Sequence, residues 1–179
     1  MKKFLLIALL LVGITPAFAQ IKSANLTASG LTCSMCSKSI YKALLKVSAV
    51  KDIQVDIKNS SYNITFKEDV PVVLDQLKNA VENAGFSVAS LQVTAHFEKT
   101  EVANDTHVTF QGNTYHFLNV PQQTLSGDKT FTVVDKNYLS AADRRKYAKY
   151  TTMPCFESGK MAPCCSKNST SGRVYHITM

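Results

Sequence analysis

The stretch Val50-Lys51-Asp52-Ile53-Gln54-Val55-Asp56-Ile57, then the turn Lys58-Asn59-Ser60, then Tyr62-Asn63-Ile64-Thr65-Phe66, decides the fold. Apolar and polar residues alternate on both sides of the turn, as in two half-buried strands joined in a hairpin. Upstream, Ile21 to Thr27 is short and partly alternating and is expected to be a first strand. Ser37 to Val47 carries Ile40, Leu44 and Val47 at helical spacing. Downstream, Pro71 sits where a first helical turn tolerates proline, with Asp69 as its cap. Leu74, Leu77, Val81 and Ala84 line one face of that second helix, and Gly85 stops it. Phe86 to Thr94 supplies a last strand. The order β-α-β-β-α-β is the ferredoxin-like arrangement. Many unrelated activities use that fold, so function has to be argued from a site.

The loop between the first strand and the first helix reads Gly30-Leu31-Thr32-Cys33-Ser34-Met35-Cys36. Gly30 permits the tight exit from the strand. Two cysteines separated by two residues can turn their sulfurs to one point. Cys36 is expected at a helix N-terminus, where the dipole and the unbonded N–H groups favour thiolate. Thiolates select soft ions over Mg or Ca. A shallow two-sulfur site suits Cu(I) first and Hg(II) second. Zn(II) normally takes four ligands, and the loop offers no adjacent carboxylate or histidine. Met35, between the cysteines, is expected to face solvent. The same pair could instead form a disulfide, structural or redox-active, and then the protein would be a thiol–disulfide oxidoreductase.

Gly30 to Cys36 resembles the Gly-Met-Thr-Cys-x-x-Cys loop of heavy-metal-associated domains, a family of copper chaperones, N-terminal modules of metal-pumping ATPases and mercuric-ion-binding proteins. The resemblance runs over about residues 21–94. It extends to Lys-Ala-Leu-Leu-Lys-Val at Lys42 to Val47 and to Ala84-Gly85-Phe86. It implies metal binding by Cys33 and Cys36, with Phe86 packed near the loop. Leu31 replaces the family's usual methionine, which points into the core, so packing and binding are expected to survive. Thr32, rather than Asp, before the first cysteine looks more like the copper and mercury members than the zinc-pump modules.

Met1-Lys2-Lys3, the apolar run Phe4 to Ile14 and Ala17-Phe18-Ala19 read as a secretory signal over residues 1–19. The run is too short to span a bilayer. The mature chain is therefore expected to be soluble and exported, in the periplasm, without membrane insertion and as a monomer. Net charge is +7, or +5 once Lys2 and Lys3 are removed. Without a dense basic run interleaved with aromatics, nucleic acid is not an expected partner. A metal-transporting or metal-receiving protein is. No catalytic triad, phosphate loop or carboxylate pair is evident, so no enzyme is expected. The five cysteines are odd in number and all mature, so in an oxidising compartment at least one thiol stays outside an internal disulfide.

The domain reading is a ferredoxin-like unit over 20–95, a polar linker or domain edge at 96–103, and a small β-rich α+β domain over 104–179. In the latter, His107 to Phe110 and Thr114 to Leu118 form a hairpin about Gln111-Gly112-Asn113. Lys129 to Val134 is a strand, Ser140 caps a short basic helix through Asp143, and Arg173 to Met179 is a terminal strand. Its sulfur-bearing segment holds Met153, Cys155, Met161, Cys164 and Cys165, with His176 downstream. These form a candidate second soft-metal site or, alternatively, a disulfide from Cys155 to Cys164 or Cys165. His96, His107 and His116 read as ordinary surface or sheet residues.

Overall fold

The structure, a computed structural model, describes residues 19–31, 34–136, 138–161 and 172–179. The expected signal peptide therefore lies outside the described residues up to Phe18, as do Thr32, Cys33, Cys164 and Cys165. The elements run β1 (Gln20–Ser29), α1 (Ser34–Leu44), β2 (Val50–Asp56), β3 (Ser61–Phe66), α2 (Leu74–Asn83) and β4 (Ser87–Val102). Then follow β5 (Thr106–Phe110), β6 (Asn113–Phe117), β7 (Gln123–Val133), α3 (Ala141–Arg145), a 3-10 turn at Ala148–Tyr150, α4 (Cys155–Ser158) and β8 (Val174–Thr178).

The first six elements pair antiparallel in the order β2-β3-β1-β4, which is the expected ferredoxin-like arrangement. Ile40 and Leu44 of α1 and Leu74, Leu77 and Val81 of α2 are buried. They pack on Ile21, Leu26, Ile64, Leu91 and Val93 from the sheet. Each such side chain contributes roughly 1.5–3 kcal/mol when fully buried, and this apolar face holds α1 and α2 on the sheet.

Of residues 96–103, expected as a linker or domain edge, 96–102 continue β4. The sheet does not stop at the ferredoxin-like unit: β7, β8, β6 and β5 extend it beyond β4 to eight strands. Phe97 and Val102 are buried, while Glu98, Lys99 and Glu101 face solvent. A bulge between Phe97 and Thr100 shifts the register, with Lys99 in the left-handed region at φ 44°. The polar composition there marks a solvent face and a bulge. The added strands and short helices make a sheet-rich α+β remainder, as the sequence implies.

Two local expectations change. Asp69 and Pro71 do not open α2, which starts at Leu74 without a side-chain cap at Val73. Val72 is drawn into the core, and its carbonyl accepts a 3.0 Å bond from the Asn113 amide, so residues 71–73 stay extended. The Asp75 N–H finds its partner far away, donating to the Tyr175 hydroxyl of β8 at 3.2 Å. In β2 a register shift between Val50 and Asp52 interrupts the expected alternation, and Val55 and, just past the strand, Ile57 lack cover at 38% and 62% exposed. Ser34, Ser37, Lys38 and Tyr41 of α1 line a shallow open groove with them. The Ser140 cap is as expected, its hydroxyl accepting from Asp143 N–H at 3.1 Å.

One polar junction ties the halves together. Arg173 donates through Nε to Asp75 at 2.7 Å and pairs through a terminal nitrogen with Asp135 at 2.7 Å. The buried Tyr138 hydroxyl donates to Asp75 at 2.8 Å. Burial pushes the Asp75 pKa up, but the Arg173 and Tyr138 bonds outweigh it and hold the carboxyl below its usual value.

Candidate metal centre

β1 ends at Ser29 and turns through Gly30, whose φ of +83° is a left-handed conformation that glycine adopts without a Cβ penalty. Leu31 packs partly buried against the core, the role expected for it. α1 then begins at Ser34, so Cys36 lies in its first turn, half-buried, where N–H groups have no intrahelical acceptor. Met35 beside it is 69% exposed, as expected. Phe86 reaches the loop from the start of β4: its Cδ1 stands 3.9 Å from where a Gly30 Cβ would be.

Beneath the loop, the buried Tyr62 hydroxyl of β3 donates to the Ser37 carbonyl at 3.3 Å and anchors the first turn of α1. Burial raises the Tyr62 pKa against the opposing pull of the Ser37 bond, and a thiolate at Cys36 would add to the rise, so the phenol stays neutral and donates. Around this turn the surface is apolar with a basic flank. Met35, Val55 and Ile57 are exposed, as are Lys38 and Lys42 on α1 and Lys46 in the turn after it. Cys33 lies outside the described residues, so the geometry speaks for Cys36 and the frame around it.

Of the second sulfur group, Met153 and Met161 are half-buried, and Cys155 is fully buried on α4. Cys155 does not stand among sulfurs alone. It lies against His107 of β5 and His116 of β6, two residues the sequence reading treated as ordinary. His107 pairs with His116 across the hairpin, and His116 pairs with His176 in the parallel β6–β8 ladder. The hairpin about Gln111-Gly112 was the signal available for the first pairing. Nothing local indicates the second.

A family model for the heavy-metal-associated domain matches residues 25–87. The chain is similar to the mercuric transport protein periplasmic component of Pseudomonas fluorescens, with 31% identity over 86 residues, 48% of this chain and 93% of that protein. It is 40% identical over 58 residues to a copper-transporting ATPase of Helicobacter pylori, which is 32% of this chain and 8% of the ATPase. Among solved structures, oxidized MerP from Ralstonia metallidurans CH34 aligns at 30% identity over 38% of this chain and 96% of its own, with a TM-score of 0.35. Among the described residues, no helix is long and apolar enough to cross a membrane.

Proposed function

The chain belongs to the heavy-metal-associated domain family, and on that footing we propose that it is an exported protein that captures Cu(I) between Cys33 and Cys36 and passes it on. The observation that carries the reading is Cys36 in the first turn of α1, half-buried on a loop opened by Gly30. There a thiolate is favoured by the helix N-terminus and remains within reach of a partner. Cu(I) accepts two soft ligands, so the ion on such a loop stays under-coordinated. Transfer follows by exchange. An incoming cysteine thiolate bonds to the two-coordinate ion, a three-coordinate intermediate forms, and one original Cu–S bond breaks as its sulfur takes up a proton.

The receiving protein would be a metal transporter or another metal-binding domain. The exposed Met35, Val55 and Ile57 offer it apolar contact, and Lys38, Lys42 and Lys46 favour an acidic rim on its side. The reading of residues 1–19 as a signal, together with the relative named as a periplasmic component, supports a periplasmic location, and a monomer suits a shallow site that must dock. The protein works as a carrier, without a reaction of its own. Hg(II) is the second reading, favoured by the 93% coverage of a mercuric transport component and served by the same two thiolates.

The test is anaerobic titration of the reduced mature chain with Cu(I) against a competing chelator, beside Cys33→Ser/Cys36→Ser. The variant is expected to bind one tight equivalent fewer than the wild type. An unchanged titration would overturn the reading. Competition between Cu(I) and Hg(II) on the wild type, with Hg(II) retained and Cu(I) displaced at matched free-ion activity, would shift it to the mercuric one.

A further inference from the structure

Alternation along β6 and β8 sends Tyr115, Phe117, Tyr175 and Ile177 into the main core. His116 and His176 therefore face the other side of the sheet, where Leu118, Val134 and Phe156 form a smaller apolar cluster. Register completes a row on that face: His107 of β5, His116 of β6 and His176 of β8 stand side by side. The His107 and His116 rings stack with centroids 4.2 Å apart, and His116 and His176 lie edge to face at 5.1 Å. α4 closes over the row, with Phe156 against His176 and Cys155 against the other two.

The Cys155 sulfur lies 3.6 Å from His107 Nε2 and 3.7 Å from His116 Nδ1. The three donor atoms all fall within 4.8 Å of one another. A metal bonded to nitrogen at ~2.0 Å and to sulfur at ~2.3 Å separates those atoms by roughly 3.5 Å in tetrahedral and about 3.7 Å in trigonal geometry. The two sulfur–nitrogen distances are those of ligands around one ion. We propose that His107, His116 and Cys155 form a second metal site, binding Cu(I) through two imidazoles and one thiolate, separate from the Cys33–Cys36 loop.

The surroundings are built for it. Asp105 Oδ1 sits 2.8 Å from His116 Nε2, which assigns the ring proton to Nε2 and leaves the Nδ1 lone pair toward the sulfur. Asp135 Oδ1 does the same for His176, 2.5 Å from its Nδ1. The remaining His176 Nε2 is fully buried with no hydrogen-bond partner among the described residues. An unsatisfied buried nitrogen is costly, and this one is an independent sign of a polar occupant beneath α4. Burial, then the proximity of the other imidazoles, lowers the pKa values of His107 and His116 against the pull of Asp105, so both are neutral and ligand-ready at pH 7.

The donor set selects the ion. Two imidazoles and one thiolate are the donor set of copper sites, and the soft thiolate suits Cu(I) with three ligands; Zn(II) would need a fourth donor, from water or from His176 Nε2. The site is not an extension of the first loop. Between β1 and β6 the sheet order places four strand spacings, about 19 Å.

The experiment uses the mature chain carrying Cys33→Ser/Cys36→Ser, reduced so that Cys155 is a thiol, and titrated anaerobically with Cu(I) against a chelator. Its outcome is thus independent of the first loop. One tight equivalent is expected, with an absorption-edge fine structure of two nitrogens near ~2.0 Å and one sulfur near ~2.3 Å. Adding His107→Ala should weaken binding ~100-fold or more, and Asp105→Asn, which touches only the ring partner, by about 10–100-fold. Metal-free melting curves within ~2 °C of the parent would show that the added variants fold. Cys164→Ser/Cys165→Ser should leave the equivalent in place. No bound equivalent in the parent overturns the site. Loss with the Cys164/Cys165 pair but not with His107→Ala overturns the ligand set, and uptake of Zn(II) but not Cu(I) overturns the ion.

Discussion

Removing the Asp75 carboxylate should loosen the junction that fastens α2 to the C-terminal strands. Asp75 accepts from Arg173 Nε at 2.7 Å, from a second Arg173 nitrogen at 3.3 Å and from the Tyr138 hydroxyl at 2.8 Å. Asp75→Ala leaves the Tyr138 oxygen buried without its acceptor, costing about 1–3 kcal/mol. It also removes a fork-shaped ion pair whose members are each 30% exposed, so screening limits that loss to roughly 1 kcal/mol. Arg173 keeps Asp135, and that offsets part of the damage. The net expectation is about 2–3 kcal/mol, a fall of roughly 5–10 °C in melting temperature at this chain length. As a control, Lys22→Ala breaks an exposed pair with Asp128, both about half exposed, and should leave the melting temperature nearly unchanged. Differential scanning calorimetry reads both. Because the sheet is continuous through β4 and β7, one cooperative transition is expected in parent and variant alike. The carboxyl pKa is depressed in the folded chain, so its stabilisation is full above the ordinary value of 3.8 and is lost as pH falls below it through the folded pKa. The gap between wild type and Asp75→Asn should accordingly close in that acid range. An Asp75→Ala melting point no lower than that of Lys22→Ala, or a gap independent of pH, would refute the reasoning.

Two further outcomes bear on the loop. Gly30→Ala should cost about 1–2 kcal/mol through its φ of +83° alone, since the added Cβ would stand an ordinary 3.9 Å from Phe86. Gly30→Asn, which tolerates that region, should cost less in the same denaturation experiment; equal losses would point to packing instead. Tyr62→Phe deletes the bond to the Ser37 carbonyl and should lower stability by about 1 kcal/mol in urea titration. A change under ~0.3 kcal/mol would mean that the first turn of α1 is held by other contacts.

What was legible in the sequence was what lies in local period. The alternation of β3, the apolar stripes of α1 and α2, and the loop from Gly30 to Cys36 each occupy one contiguous segment, and each carries its own signal. What was missed depends on partners distant in the chain. The second half of β4 reads as polar linker because Glu98, Lys99 and Glu101 stand on a bulged, solvent-facing run. Only its pairing with Gln123 to Gly127 makes it a strand. The start of α2 obeys Asn113 and Tyr175 rather than Asp69 and Pro71. Val55 and Ile57 are apolar at alternate positions yet stay exposed beside the first turns of α1, and no count of apolar residues reveals how far a helix covers a sheet.

The histidine row is the extreme case. Its members come from three strands, and His116 meets His176 through a parallel pairing, whose register no turn residue records. A one-residue slip in either ladder would send the imidazole to the opposite face, so the cluster exists only because the whole C-terminal sheet is in register. This sets the two candidate sites apart in kind. The Cys33–Cys36 loop keeps its donor sequence wherever the loop folds, whereas the buried cluster is an outcome of the complete fold. Its exposed side is the edge strand: His107 on β5 is half-buried, while His116 and Cys155 are inaccessible. Of the three proposed ligands, His107 is the one that solvent reaches among the described residues, so on the proposed reading it would also be the point of entry. A site so enclosed should exchange its ion more slowly than the loop on α1, where the half-buried Cys36 lies within reach of an incoming thiolate.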